Sequence, residues 1–270
     1  MISKITGGET RELLTAKVLG RYDVKYYQCL ETGFIQTEEP YWLDEAYSTA
    51  ITKLDIGLPY RNELLRDKVV AILSQYFDTN SKFLDYGGGY GLFTRLMRDK
   101  GFDFYHTDMY CKNLFAEYFD LTDSPPNTYF ELTTAFEVFE HLTNPLLEIE
   151  TISKYSDSIL FSTELVSNQT LNTVDDWWYF IPETGQHIAL YTLQSLQYIA
   201  NKWDYNFYTD GSELHLFTKK KLPQNPFNEK LPFLIRKMTK LLKKYHAKKQ
   251  NNIESLLQKD WEYIKKKLSK

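Results

Sequence analysis

Apolar runs of strand length alternate with segments of helical periodicity through the middle of the chain. The strand-like runs are KFLDY (82–86), FDFYHTD (102–108), YFELTTAFEVF (129–139) and SILFSTEL (158–165). The helix-like segments, with apolar residues three and four positions apart, are 67–77, 91–100, 144–156 and 192–203. Because strands that alternate with helices are typical of parallel sheets, residues 66–218 are predicted to form one α/β domain.

Residue types at the segment ends support these boundaries. Asn144 and Pro145 are preferred at the N-cap and first position of a helix, and Thr192 opens the next predicted helix. The runs YNFYTD and ELHLFTK (205–219) meet at Asp210–Gly211 and predict a closing β-hairpin. That hairpin would add an antiparallel edge to the sheet.

Residues 1–65 precede the predicted domain. After a polar leader, residues 21–37 alternate apolar and polar positions from Tyr22 to Tyr26, and Gly33 marks a turn. This pattern predicts a β-hairpin, followed by a loop and a helix.

Residues 219–270 form a basic segment with a helical pattern. They hold 16 Lys/Arg and 4 Asp/Glu, a formal charge of +12. The rest of the chain holds 16 Lys/Arg and 32 Asp/Glu, a formal charge of −16. An apolar stripe runs through Leu231, Leu234, Ile235, Met238, Leu241, Leu242 and Tyr245. A basic amphipathic helix over 220–270 would pack on the acidic body or a second copy, or lie peripherally on an anionic membrane. No alternation of aromatic and basic residues marks a nucleic-acid groove, so we expect no nucleic-acid partner.

Composition is ordinary for a globular protein, with 43% hydrophobic and 25% charged residues. The 21 Tyr, 17 Phe and 5 Trp leave rings to line a ligand groove. Two separate cysteines make neither a disulfide framework nor a metal-ligand set, so we expect no metal. Without a signal-peptide pattern or an apolar run near ~18 residues, a cytoplasmic protein is expected.

The stretch SKFLDYGGGYGLFTRLM (81–97) places three glycines between a predicted strand and a predicted helix. The dinucleotide fingerprint G-x-G-x-x-G fails here, and no Gly-Lys-Ser/Thr follows to make a phosphate-binding loop. What fits is D-x-G-x-G-x-G, beginning at Asp85. A carboxylate at this point suits a cationic ammonium group, and Asp108, at the next strand end, suits ribose hydroxyls.

The sequence here resembles the class I S-adenosylmethionine-dependent methyltransferases over roughly residues 66–218. The matching segments are FLDYGGGYG, HTDMY and TAFEVFEHL (134–142), where E-V-x-E-H recurs in the small-molecule branch. The resemblance implies a Rossmann-like fold with a mostly parallel seven-stranded sheet and an antiparallel edge hairpin, and S-adenosylmethionine as cofactor. The implied cofactor-binding residues are Asp85, Tyr86, Gly87, Gly89, Gly91, Asp108, Met109, Phe136 and Glu137.

Within that resemblance each residue has an expected part. Asp85 and the glycines would hold the methionine portion, Asp108 the ribose, and Met109 would pack on the adenine. Phe136 and Glu137 would lie near the sulfonium.

The N-terminal hairpin is similar to a zinc-binding Y-Y-x-C-x-x-C-G-F hairpin that precedes the domain in some bacterial methyltransferases. The matching residues are Tyr26, Tyr27, Cys29, Gly33 and Phe34. Thr32 stands at the second cysteine position, and one thiolate falls short of the four ligands of structural zinc. We therefore interpret the hairpin as a metal-free remnant, with PYWLDEAY (40–47) expected to form a lid.

DDWWYFIPETGQHIALYT (175–192) follows the fifth strand and is the predicted acceptor wall. The candidate substrate residues are Trp177, Trp178, Tyr179, Tyr41 and Trp42, although the Trp pair fits core packing equally well. His187 is the candidate general base, because its unperturbed pKa lies near ~6.5, and His141 is the second candidate.

These features predict methyl transfer from S-adenosylmethionine to a small-molecule or sugar-like acceptor, with oxygen as the expected atom and carbohydrate modification as the expected setting. Two alternatives stay open. One is N- or C-methylation of a natural-product or cofactor precursor. The other is a non-catalytic assembly factor that keeps the fold and is tethered by its basic tail.

Overall fold

The computed structural model describes residues 1–48, 51–166, 170–228, 261–263 and 265–266. Its strands are β1 (Thr10–Val18), β2 (Tyr22–Cys29), β3 (Ile35–Thr37), β4 (Lys82–Tyr86), β5 (Asp103–Thr107), β6 (Leu132–Phe136), β7 (Ser158–Ser162), β8 (Ala189–Leu190), β9 (Asn206–Thr209) and β10 (Leu214–Thr218). Its helices are α1 (Leu43–Ala46), α2 (Leu58–Tyr76), α3 (Leu92–Asp99), α4 (Pro145–Ser153) and α5 (Leu193–Lys202).

The larger sheet has the strand order β5-β4-β6-β7-β10-β9. Strands β5, β4, β6 and β7 are parallel, and β10 is antiparallel to both of its neighbours. The predicted α/β sheet with an edge hairpin is therefore confirmed. The predicted count of seven strands is corrected to six within the described residues. Side chains on the central strands are buried on both faces, as parallel sheets require.

Local sequence signals explain where the helices of this domain begin. Asn144 Oδ1 accepts the backbone N–H of Leu147 at the start of α4, and the hydroxyl of Thr192 accepts that of Ser195 in α5. Both predicted caps are confirmed.

Helix α2 begins about nine residues before its predicted start, at Leu58 rather than 67. The helix predicted after the loop in the N-terminal part and the helix predicted from 67 are thus one continuous helix. The predicted domain boundary between 65 and 66 falls inside this helix.

The smaller sheet is antiparallel throughout, in the order β1-β2-β3-β8. It confirms the β2–β3 hairpin, with Gly33 at a positive φ of 72° in the turn. The prediction of a polar leader was wrong, because Thr10–Val18 forms β1 with Leu14, Ala16 and Val18 buried. Since β8 belongs to the acceptor wall, this sheet joins the N-terminal part to the domain.

The predicted amphipathic stripe at 231–245 lies outside the described residues, together with most of the basic extension. Of that extension, Leu222 is buried against the core cluster that contains α2, and Phe227 packs on the same cluster. None of the helices that the structure describes combines the length and apolar character that crossing a bilayer takes.

Candidate active site

A cavity of about 1050 Å³ opens at the carboxyl ends of β4, β5 and β6, where open α/β sheets bind ligands. The residues proposed from the sequence that line it are Asp85, Tyr86, Gly87, Gly89, Asp108, Met109, Phe136, Glu137, His141, Trp178, Tyr179 and His187. We call the part around the glycine turn 87–89 and Asp108 the cofactor half. We call the part around His141, Tyr179 and His187 the acceptor half.

The glycine turn is closely surrounded at Gly87 and Gly88, where a side chain would clash. Gly87 and Gly89 have φ values of 66° and 57°, which L residues with side chains rarely adopt. A Cβ on Gly87 would lie 2.6 Å from Cγ2 of Val138, and a Cβ on Gly88 would lie 2.5 Å from Oδ2 of Asp85. Gly91 lies off the cavity wall and precedes α3 with a φ of 81°.

Asp85 lies beneath this turn rather than projecting openly into the cavity, with 2% of its surface exposed. Its carboxylate accepts hydrogen bonds of 2.9 Å from the hydroxyls of Thr94 and Thr134. Burial raises the pKa of Asp85 to about 6. The arrangement anchors the turn to α3 and β6, so direct contact with a ligand ammonium group stays a prediction.

Asp108 connects the glycine turn to the loop after β5. Its Oδ2 accepts the N–H of Gly89 at 2.9 Å, and its Oδ1 accepts those of Tyr110 and Cys111 at 2.7 Å. A carboxylate accepts about four hydrogen bonds, so one lone pair remains for a ligand hydroxyl. The neighbouring Met109 is 82% exposed on the cavity wall.

His106 also holds the turn, and the sequence reading did not identify it. The ring is buried, with Nδ1 3.0 Å from Oδ1 of Asp120 and Nε2 2.9 Å from the carbonyl oxygen of Gly89. These two contacts join the glycine turn to the segment that carries Asp120. A histidine two residues before Asp108 carried no signal for this role.

Glu137 lies between the two halves in an unusual backbone conformation. Its φ is +53°, which is uncommon for a residue with a side chain. Its backbone N–H donates to Oγ of Ser162 at 2.9 Å, and that hydroxyl donates to Oε1 of Glu137 at 2.6 Å. The carboxylate is thus fixed at the end of β6, next to Phe136, which packs edge-on against Phe93.

The two candidate bases face each other in the acceptor half, with ring centroids 5.1 Å apart. His187 Nδ1 donates to the carbonyl oxygen of Tyr179 at 2.7 Å, and His141 Nδ1 donates to that of Gln186 at 3.0 Å. Each Nε2 therefore keeps its lone pair. Burial lowers the pKa of His187 to about 3 and that of His141 to about 4, so both rings are uncharged at neutral pH.

Glu140 is a buried carboxyl beside these histidines that the sequence reading overlooked. Neither carboxyl oxygen has a hydrogen-bond partner among the described residues. Burial, followed by the charge of Glu137, raises the pKa of Glu140 to about 8. The hydroxyls of Tyr179 and Thr163 lie beside it, and as hydrogen-bond donors they oppose this rise in pKa. Its position three residues after Glu137 and next to His141 was the available signal.

Three proposed substrate residues lie off the cavity wall. Trp177 and Trp42 are buried in the core of the smaller sheet, where the indole N–H of Trp42 donates to the carbonyl oxygen of Gly185 at 2.8 Å. Tyr41 is 63% exposed and packs edge-on against Tyr22. The core packing of Trp177 corrects the stacking predicted for it, and that of Trp42 corrects its predicted ligand contact. Tyr41 does not line the cavity, whereas Trp178 and Tyr179 do.

The lid region contributes residues without a motif. Tyr47, within the predicted lid, lines the cavity and stacks on Tyr110 with ring centroids 4.5 Å apart. Arg61 forms two hydrogen bonds of 3.0 Å to Asp55, and both residues line the cavity. Trp261, from the basic extension, lies on the same wall. Periodicity and spacing give no sign of these contacts.

Comparison with known proteins places these features in a family context. A protein-family model described as a methyltransferase domain matches residues 59–209. No curated protein matches the sequence.

Three solved structures illustrate the structural likeness. An O-methyltransferase family 2 protein from Planctomyces limnophilus, in complex with apigenin, shares 12% identity over 52% of this chain and 51% of its own, with a TM-score of 0.39. The mitomycin 7-O-methyltransferase shares 9% sequence identity over 58% of this chain and 54% of its own, with a TM-score of 0.41. A magnesium protoporphyrin IX methyltransferase from Synechocystis, with bound SAH, shares 12% sequence identity over 62% of this chain and 88% of its own, with a TM-score of 0.45. The match spans about half the length of the first two, and likenesses at this level say nothing of this chain's acceptor.

Proposed function

The chain belongs to the methyltransferase-domain family, and from this we propose that it transfers a methyl group from S-adenosylmethionine to a small-molecule acceptor. The observation that carries the proposal is the continuity of the cavity. One space joins the glycine turn and Asp108 to the histidine pair His141 and His187.

The cofactor half fits S-adenosylmethionine in shape and charge. The side-chain-free turn 87–89 lets a ligand approach the backbone, and Asp108 keeps a lone pair for a ribose hydroxyl. Met109, Phe136 and Glu137 complete the set of residues that would hold it. When bound, the cofactor supplies a methyl group activated by a sulfonium.

The acceptor half supports oxygen as the methylated atom. His141 and His187 each present an Nε2 lone pair that can accept a hydroxyl hydrogen bond and orient that oxygen. Trp178, 55% exposed on the wall, offers a ring on which a sugar-like or other flat acceptor can pack.

Further residues complete the lining of the cavity. The stacked rings of Tyr47 and Tyr110 lie on its wall, and Arg61, held by Asp55, supplies a fixed positive charge there.

Calorimetry with S-adenosylmethionine and with its demethylated product tests the cofactor claim. Asp108→Ala should weaken binding by about 10- to 100-fold, because it removes an ionised acceptor and releases the turn. Glu150→Gln, an exposed change outside the cavity, is the control and should bind as the wild type does. The absence of binding by the wild-type protein would refute the proposal.

Transfer itself is measured with a radiolabelled methyl group and matched panels of phenols, sugars and amines. Labelling of hydroxyl compounds supports O-methylation, and labelling of amines alone overturns it. Cofactor binding without label transfer to any panel member favours the non-catalytic assembly role.

A further inference from the structure

Glu140, His141 and His187 bring three metal-ligating side chains together. One ligand atom from each residue lies within 4.8 Å of the other two. Glu140 and His141 belong to the short 3-10 helix Phe139–His141 after β6, whereas His187 precedes β8. This cluster was not expected from the sequence, where the two histidines are 46 residues apart.

Both imidazole rings are already oriented as metal ligands usually are. A metal-bound histidine almost always donates its second ring N–H to a carbonyl or carboxylate, which fixes the ring and its tautomer. His141 donates to the carbonyl oxygen of Gln186 and His187 to that of Tyr179. Nε2 is consequently the nitrogen available for coordination in each ring.

Glu140 supplies an independent observation. Its side chain has 0% exposure, and both carboxyl oxygens are without a hydrogen-bond partner among the described residues. An unpaired polar group in the protein interior is costly, so each carboxyl oxygen of Glu140 needs either a hydrogen-bond donor or a bound cation. The hydroxyls of Tyr179 and Thr163 lie beside the carboxyl and can donate to whichever oxygen does not coordinate.

We propose that Glu140, His141 and His187 bind one divalent transition-metal ion in the acceptor half of the cavity. Two imidazoles and one carboxylate form a ligand set suited to Zn²⁺, Fe²⁺ and Co²⁺, whereas Mg²⁺ and Ca²⁺ prefer sites made of oxygen ligands. His141 and His187 line the cavity, so a further coordination position is open to it. If the proposed function holds, the bound ion takes the place of the two imidazole hydrogen bonds in orienting the acceptor oxygen, which then occupies this open coordination position.

Metal binding requires only a local contraction of the cluster. Ligand atoms at about 2.0–2.2 Å from a tetrahedral ion lie about 3.4 Å from one another. His141 Nε2 and Glu140 Oε1 are 3.9 Å apart, and the largest separation in the set is within 4.8 Å. Side-chain rotations of about 1 Å are enough, with the two backbone hydrogen bonds kept.

Equilibrium dialysis of the full chain, without an affinity tag and stripped with a chelator, tests the proposal. Co²⁺ and Zn²⁺ alone are the probes, and bound metal is measured by mass spectrometry and by the visible spectrum of Co²⁺. We expect about one ion per chain. Glu140→Gln and His187→Gln should each weaken binding by at least ~100-fold. Glu148→Gln, which changes a different carboxylate on the cavity wall, should leave binding unchanged.

Metal-dependent thermal stabilisation provides a readout that a folding defect cannot imitate. Co²⁺ should raise the melting temperature of the wild type and of Glu148→Gln by several degrees, and that of folded His187→Gln by much less. Substoichiometric binding by the wild type, below about 0.1 ion per chain, would overturn the proposal, as would wild-type affinity in both ligand variants. Calorimetry of the metal-free protein with the demethylated cofactor product separates this failure from a failure of the proposed function.

Discussion

Replacing Asp85 with asparagine tests how ionisation of the carboxyl beneath the glycine turn changes the stability of the folded state. The side chain is buried and accepts hydrogen bonds from Thr94 and Thr134. Burial acts most strongly, raising the pKa from 3.8 to about 6, while His106 opposes this rise and Asp108 adds to it. With this pKa, ionising Asp85 is less favourable in the folded state than in the unfolded state by about 3 kcal/mol.

The sign of the pH dependence follows from proton uptake. Between pH 3.8 and about 6 the folded chain holds more protons at Asp85 than the unfolded chain does. The free energy of unfolding contributed by this group is therefore fully present below pH 3.8 and is lost as pH rises through about 6. Asparagine cannot ionise, so the stability of Asp85→Asn relative to the wild type should increase by up to about 3 kcal/mol between pH 4 and pH 7.

Urea denaturation of both proteins at pH 4, 5, 6 and 7, followed by tryptophan fluorescence, measures this difference. Asp67→Asn is the control and should differ from wild type by a nearly constant amount over this range, because the hydrogen bond from Arg66 lowers the pKa of the exposed Asp67 and places its titration below pH 3.8. A difference between Asp85→Asn and wild type that stays constant from pH 4 to pH 7, or that shrinks, would refute the reasoning.

The remaining predictions concern packing at two other positions. Gly88→Ala should weaken cofactor binding about 10-fold or more in calorimetry, because the new Cβ would come within 2.5 Å of a carboxylate oxygen of Asp85 and distort the turn; an unchanged affinity would contradict this. Trp42→Phe should lower the free energy of unfolding by about 1 kcal/mol or more in urea titration, since it leaves the buried carbonyl of Gly185 without its donor. Equal stability of Trp42→Phe and wild type would show that another donor replaces the indole.

Much of the fold could be predicted because its signals are local. Strand β4 was predicted with its observed bounds, and Asn144 and Thr192 were identified as caps. The glycine turn was also recognisable, because its positive φ values select glycine and leave a mark in the sequence. Asp108 follows from the position of the next strand end.

Other parts of the candidate site depend on tertiary contacts that leave no periodic mark. The ring of His106 hydrogen-bonds to the carbonyl oxygen of Gly89, 17 residues earlier in the chain. Arg61, in the first turn of α2, hydrogen-bonds to Asp55 in the preceding loop. The same holds for Trp42, whose aromatic character suggested a ligand contact although its hydrogen-bond partner lies 143 residues away in the core. An aromatic residue in a sequence is as consistent with packing in the core as with contact to a ligand. Only the residues around it in the structure distinguish the two.

The smaller sheet explains how residues distant in sequence meet in the acceptor half. The N–H of Ile188 donates to the carbonyl oxygen of Glu140 at 2.9 Å, while the carbonyl oxygen of Ile188 accepts the N–H of Thr37 at 3.1 Å. One residue thus links the end of β3 to the 3-10 helix that carries His141. His187, the neighbour of Ile188, is aligned with His141 by these bonds.

Hydrogen bonds also join the N-terminal hairpin to the domain at a second place. Thr32 is buried, and its carbonyl oxygen accepts the hydroxyl of Thr192 at 2.5 Å. The same hydroxyl accepts the N–H of Ser195 at the start of α5, so the hairpin is joined to the domain through a helix cap. Together with the hydrogen bond between Thr37 and Ile188, this contact positions the hairpin beside the acceptor half.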